Sequence, residues 1–195
     1  MKSKDAIDAI MEDALLEAPQ LTDPLKSALG DKTENPALAK QLLRRTKYSS
    51  TVYSEEGVTV KRYKNNLFAL EYVGSVLNVS YYARLSKVMT PLGGGIYQNL
   101  VWKRYGAAHP SCRKLMLDYL LPEYGLLVCD RQQTDDGRRL WLDVAGSALD
   151  KGKLVYGWNQ ATGQTVPIHS TFDIEVEKTW GREVSFQDKR IIVVN

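Results

Sequence analysis

The sequence predicts an α+β fold: a mixed, mostly antiparallel central sheet flanked by helices, with a helical arm at the N-terminus. Three observations predict it. Up to about residue 45 apolar residues recur at helical spacing with no strand-like alternation. From about residue 50 the period changes to two, and several such runs follow one another across short turns. Beyond residue 110, helical stripes with clear start and stop signals alternate with short apolar runs. The expected division is an N-terminal helical arm at 1–48 and an α/β domain at 49–195 that ends in a β-rich tail.

In the arm, Ile7, Ile10, Met11 and Ala14 lie at i, i+3, i+4 and i+7, with Asp5, Asp8, Glu12, Asp13 and Glu17 among the other positions. An acidic amphipathic helix is expected there. Asp23-Pro24 and Asn35-Pro36 each pair an N-cap with proline at the first helical position, which predicts two more helices, the last with Lys40, Arg44 and Arg45 toward its end. So short a helical segment buries little apolar surface by itself. It must lie on its own domain, on a second copy or on another protein, and residues 1–45 are the expected contact for a protein partner or self-association.

Val58 to Tyr63, Leu67 to Val73 and Val76 to Leu85 read as strands of an antiparallel meander, with Lys64-Asn65-Asn66 and Gly74-Ser75 as turns. Thr90 to Gly95, with its three consecutive glycines, predicts a loop that is either a lid or a plain crossover. Ile96 to Tyr105 is expected as a short helix. Ser111 caps a helix whose stripe is Cys112, Leu115, Met116, Tyr119 and Leu120, stopped by Pro122 and Gly125. Leu126 to Cys129 reads as a strand buried on both faces and ending at Asp130. Thr134-Asp135-Asp136 starts a helix with Trp141, Val144, Ala145 and Ala148 inward, closed by Gly152. Leu154 to Trp158, Thr165 to Ile168, Phe172 to Val176 and Arg190 to Val194 then read as strands.

Composition bounds function by exclusion. The 195 residues, 44% hydrophobic and 25% charged, fit one domain with an appendage. No apolar run reaches the roughly 18 residues a membrane span needs, and Met1 to Asp5 opens no apolar signal segment, so neither membrane insertion nor signal-peptide export is expected. Cys112 and Cys129 with His109 and His169 lack metal-ligand spacing, so reduced thiols and no metal are expected. A net charge of +3 and the absence of a nucleic-acid-binding motif set that class aside, despite Lys103, Arg104, Arg113, Lys114, Arg138 and Arg139.

Taken in order, the elements from about residue 55 to 160 resemble those of the GNAT-type acyl-CoA N-acyltransferase superfamily. The likeness is carried by the helix-to-strand passage Ser111 to Cys129 and by Asp130 to Leu149. Gln98 with Val101-Trp102, Tyr124 to Asp130, and Gln132 to Gly137 leading to Leu140-Trp141 resemble GNAT-like proteins of tailed bacteriophages. The resemblance implies a GNAT-like fold, acetyl-CoA as cofactor, and transfer of its acyl group to an amine. It also implies residence in the cytoplasm of a bacterial host or packaging in a virion.

In that superfamily the pyrophosphate rests on backbone amides at a helix N-terminus, where unpaired N–H groups and the helix dipole favour an anion. The corresponding cradle here is Lys103, Arg104, Gly106, Ala107 and Ala108, followed by Ser111; Lys103 departs from the Gln or Arg of the family's loop, and Pro110 removes one amide. Acyl transfer to an amine uses a base and often a tyrosine acid. Trp141 stands where that tyrosine is common, and an indole cannot serve. Glu71 or Asp130 as base and Tyr156 or Tyr105 as acid are the remaining candidates. Asp130 reads rather as an anchor of the turn after its strand, and Tyr156, like Trp141, as a core aromatic on the apolar face of its element. The alternative function is a GNAT-like structural or interaction protein of a phage without catalysis, docking through its N-terminal helices.

Overall fold

The computed structural model describes residues 31–44, 50–55, 57–103, 112–129, 135–176 and 188–195. Among them the strands are β1 (Ser50–Glu55), β2 (Val58–Tyr63), β3 (Asn66–Val73), β4 (Val76–Thr90), β5 (Gly93–Lys103), β6 (Leu126–Val128), β7 (Leu154–Asn159), β8 (Thr165–Ile168) and β9 (Lys189–Val194). They belong to a nine-stranded mixed sheet of order β1-β2-β3-β4-β5-β6-β9-β7-β8. The chain divides into two compact units, residues 1–85 with 100–110 and residues 86–99 with 111–195.

The first unit is the meander the alternation predicts. β1 to β4 pair in sequence and antiparallel, joined through turns at Lys64–Asn65 and Gly74–Ser75. Inward residues Tyr63, Phe68, Leu70, Leu77, Val79 and Tyr82 form a core, with the Phe68 ring edge-on to Tyr63 at 6.0 Å and tilted on Tyr82 at 5.0 Å. Against them packs helix α1 (Glu34–Arg44) through Leu38 and Ala39. Asp31, not Asn35, caps it: its carboxylate accepts the N–H groups of Thr33 and Glu34 at 2.7 and 2.9 Å. Asn35 is buried inside the helix and exchanges two hydrogen bonds with Val79 of β4, accepting from its N–H at 2.7 Å and donating to its carbonyl at 3.0 Å. At the other end Lys61 donates to the Leu43 carbonyl, a cation at the negative end of the helix.

In the second unit the ends of β4 and β5 are joined by the two-residue turn Pro91–Leu92, tied by Thr90, whose hydroxyl accepts from Leu92 N–H and donates to the Gly93 carbonyl. A helical run follows at Cys112, as α2 (Cys112–Lys114), a π-helical turn (Leu115–Leu120) and α3 (Leu121–Tyr124), stopped by Gly125 in the left-handed region at φ 72. The wide turn lets Leu115, Met116 and Leu117 all be buried in succession, which a regular α stripe does not allow. Helix α4 (Asp135–Asp150) buries Trp141, Val144, Ala145 and Ala148 as the stripe predicts, and packs on β7 and β9.

The expected fold class is overturned. Strand dominates the described residues, at 48% against 33% helix, and a nine-stranded mixed sheet with few helices is not a GNAT-like, helix-flanked sheet with a helical arm. Particular elements account for the difference. Ile96 to Lys103, expected as helix, continues β5, because a run rich in β-branched and aromatic side chains gains more from sheet neighbours than from an isolated short helix. The expected loop at Thr90 to Gly95 shrinks to a hairpin turn. Residues 34–44 of the expected arm are built into the meander core, while residues 1–30 and 45–49 lie outside the described residues.

One error runs the other way. Phe172 to Val176, expected as strand, is helix α5 (Thr171–Val176). Ser170 and Asp173 form a reciprocal capping box: the Ser170 hydroxyl accepts from Asp173 N–H at 3.3 Å and the Asp173 carboxylate from Ser170 N–H at 2.9 Å. That signal was present in the sequence, and the alternation of Phe172, Ile174 and Val176 outweighed it.

Candidate functional site

β5 and β6 are parallel, and among the described residues they pair at Ile96↔Leu127. Parallel neighbours require a long crossover, and the chain between β5 and β6, which includes α2, the π turn and α3, supplies it. On its far side β6 is fully laddered, through Leu126↔Val194, Leu127↔Val193 and Val128↔Ile192 to β9. So β6 is anchored on β9 and meets β5 at one point. Below that point the strands are closed by Gly95: a Cβ there would collide with Leu126 Cδ2 and stand 3.0 Å from the Leu126 carbonyl oxygen. Above it, Tyr97, Gln98 and Asn99 of this unit continue β5 beyond the last pair. The two strands thus form a fork, pinned by a missing side chain.

Strand alternation separates what faces each side of the fork. Tyr97 joins Leu126, Val128, Trp158 and Ile192 on one face, together with half-buried Val88, Tyr156 and Val194. Arg190, 5% exposed, lays its guanidinium over the Tyr97 ring at 5.5 Å and the Trp158 ring at 5.8 Å. Two π faces thereby compensate part of the hydration this buried cation gives up. The Trp158 Nε1–H is out of solvent with no hydrogen-bond partner. Ile96, Gln98, Leu127 and Cys129 belong to the opposite face by the same alternation. There the Gln98 Nε2 is buried and likewise has no partner. Cys129 is buried, and its sulfur accepts the Ile191 N–H at 3.0 Å.

A second concavity of about 340 Å³ lies between α4 and the helix at Cys112, lined by Arg113, Lys114, Leu117, Asp118, Ser147, Asp150 and Lys151. It is an open surface groove bridged by ion pairs, Arg113 with Asp143 at 3.0 Å and Lys151 with Asp118 at 2.6 Å. Half-exposed pairs of this kind hold two helices together weakly and position no reactive group.

The residues singled out from the sequence are scattered. Arg104, Gly106, Ala107, Ala108, Ser111 and Asp130 lie outside the described residues, and Lys103 ends β5. Glu71 is half-buried on β3 in the first unit, while Tyr156 is on β7 in the second, on the face of Tyr97 and away from that of Gln98. Glu71 and Tyr156 thus belong to different units, and Asp130 lies outside the described residues. Trp141 is a core residue, 5% exposed. Sequence reading passed over Arg190 and used Gln98 only as a point of likeness.

Among the described residues no three His, Cys, Asp or Glu side chains are grouped to hold a metal ion, and no helix is long and apolar enough to cross a membrane. No family model matches the chain, and neither a curated protein nor a solved structure matches it.

Proposed function

We propose that the chain binds an acyl-CoA-type thioester at the β5/β6 fork and passes its acyl group to an amine. The observation that carries this reading is the fork: a parallel pair reduced to Ile96↔Leu127, with β5 continuing past it. The pantetheine arm of CoA is extended and amide-bearing, so it can lie along a strand whose ladder has stopped and pair with it as an added strand does. Open sheets also place ligands at the carboxyl ends of parallel strands. For the phosphates the resemblance proposes Lys103, Arg104, Gly106, Ala107, Ala108 and Ser111, which supply cations and backbone amides in the sequence. Glu71, in the first unit, and Tyr156, on the face opposite Gln98, take no part in this reading of the fork, and Asp130, which follows β6 in the sequence, is the proposed base.

Calorimetric titration of the full chain with acetyl-CoA tests this reading, beside melting curves at millimolar acetyl-CoA. A ligand that binds only the folded state raises the melting temperature by mass action. Saturable heat and a rise of several degrees, both lost in Gly106→Glu, are expected. No heat and no shift for the native chain overturn the proposal.

A second reading, a non-catalytic protein-binding module of a phage particle or a host-protein binder, is favoured by one exposed feature. Tyr72 (60% exposed), Val73 (42%) and Val76 (45%) flank the Gly74–Ser75 turn and make an apolar hairpin tip. In this reading residues 1–45 and that tip dock on a protein partner or on a second copy. Light scattering of the native chain and of Tyr72→Ser/Val76→Ser distinguishes self-association, which the double variant weakens, from a monomer that awaits another protein.

A further inference from the structure

We propose that Gln98 is the side chain through which the fork recognises a carbonyl oxygen of its ligand, an inference that rests on the acyl-thioester reading above. Gln98 stands two residues past Ile96, the last residue of β5 paired with β6. Its Nε2 is shielded from solvent and has no hydrogen-bond partner among the described residues. An amide group has two donors on that nitrogen, and a buried donor left without an acceptor costs stability, so such groups are almost always satisfied. The chain keeps one at the place where its own backbone pairing ends. What it lacks is an acceptor. An acyl-CoA supplies acceptors in series along one extended arm, the pantetheine carbonyls and then the thioester oxygen, and a parallel fork presents such an arm edge-on. The ligand class that Gln98 selects is therefore a neutral carbonyl acceptor.

Gln98→Met keeps the length of the side chain and removes both donors, and Gln98→Glu replaces donors with a negative charge. The measurements are the Kd of acetyl-CoA for the native chain and both variants, the melting temperature of each without ligand, and the side-chain amide resonance of Gln98 in the native protein during titration. The expected result is a Kd raised about tenfold by Gln98→Met and further by Gln98→Glu. The unliganded Gln98→Met protein should melt no lower than native, because an unsatisfied buried amide has been removed. The native Gln98 amide protons should move downfield as acetyl-CoA saturates. A structural role for Gln98 gives the opposite pattern: a lower melting temperature, an unchanged Kd and a stationary amide resonance. That pattern overturns the inference while leaving acyl-CoA binding intact. Absence of binding by the native chain overturns both, and a stationary resonance in a native chain that binds overturns the Gln98 contact even where a variant does not fold.

Discussion

The two units differ in how certain of their buried polar side chains are paired. In the first, Asn35 is paired twice to Val79, the Lys61 ammonium reaches the Leu43 carbonyl, and the Tyr82 hydroxyl donates to Asn66 at 2.9 Å. The first closes a gap in backbone pairing, the second ends a helix and the third ties two neighbouring strands through their side chains. Among the described residues of the second unit, β5 and β6 pair at Ile96↔Leu127, a π turn interrupts the helix between them, and Gln98 and Trp158 keep buried N–H groups without acceptors. Local rules are broken there several times within a few strands. Such departures concentrate where a protein does something besides fold, since a purely structural site gains nothing from them.

The largest test of this contrast is Asn35→Ala. Removing the side chain leaves the Val79 N–H and carbonyl of a buried strand unpaired and loses two hydrogen bonds at once. A loss of about 3 kcal/mol is expected from urea unfolding. Asn35→Asp, which keeps the acceptor for Val79 N–H but not the donor, should lose less than Asn35→Ala. If both variants unfold with the native midpoint, the pairing does not organise the first unit.

Next in size is Gly95→Ala. Its methyl group collides with Leu126, whose neighbours are fixed by the β9 ladder, so β5 must shift. Destabilisation of about 2 kcal/mol is expected. Gly94→Ala is the control: its Cβ would meet only Met89 Sδ, at an ordinary 3.6 Å, and should change stability by no more than about 0.5 kcal/mol. Equal effects at both positions would remove the case that Gly95 pins the fork.

How much of this was legible depended on the range of the interactions. The meander was readable because period-two alternation, the Gly74-Ser75 turn and inward Phe68, Leu70, Val79 and Tyr82 agree with one another within a few residues. The π turn and the true cap of α1 were not, because Leu117 is buried by packing on other elements and Asn35 is drawn inward by a strand 44 residues away. Asn35-Pro36 looks like a helix start in any local window. The segment from Gly93 to Lys103 failed for the same reason: three glycines suggest a loop until Leu126 shows why a side chain is excluded at one of them. The fork itself is a relation between residues 96 and 127, and nothing in either run alone announces it.

The smallest expected effect concerns a helix that owes its existence to its cap. α5 has six residues, too few to nucleate by propensity, and Phe172 in its first turn is 72% exposed, so packing contributes through Ile174. Ser170→Ala removes one half of the capping box and should cost about 1 kcal/mol, read as faster amide exchange over 171–174 with the rest of the second unit unchanged. The other half responds to pH. The Asp173 carboxyl is held below its usual value first by the His169 N–H, at 2.8 Å, then by the Ser170 N–H and hydroxyl, with the nearby His169 charge adding to them. A carboxyl whose pKa is lower folded than unfolded stabilises the fold at any pH above the unfolded value, and that stabilisation is lost as pH falls through the folded one. Exchange protection over 171–174 should therefore hold from about pH 6 down to the ordinary aspartate value near 3.9 and fall below it, after correction for intrinsic exchange rates, whereas Asp173→Asn should show no such step. Protection that stays constant through this range in the native chain, or a step that survives in Asp173→Asn, would mean that α5 is held by Ile174 alone and that the capping box is a consequence of the helix, not its cause.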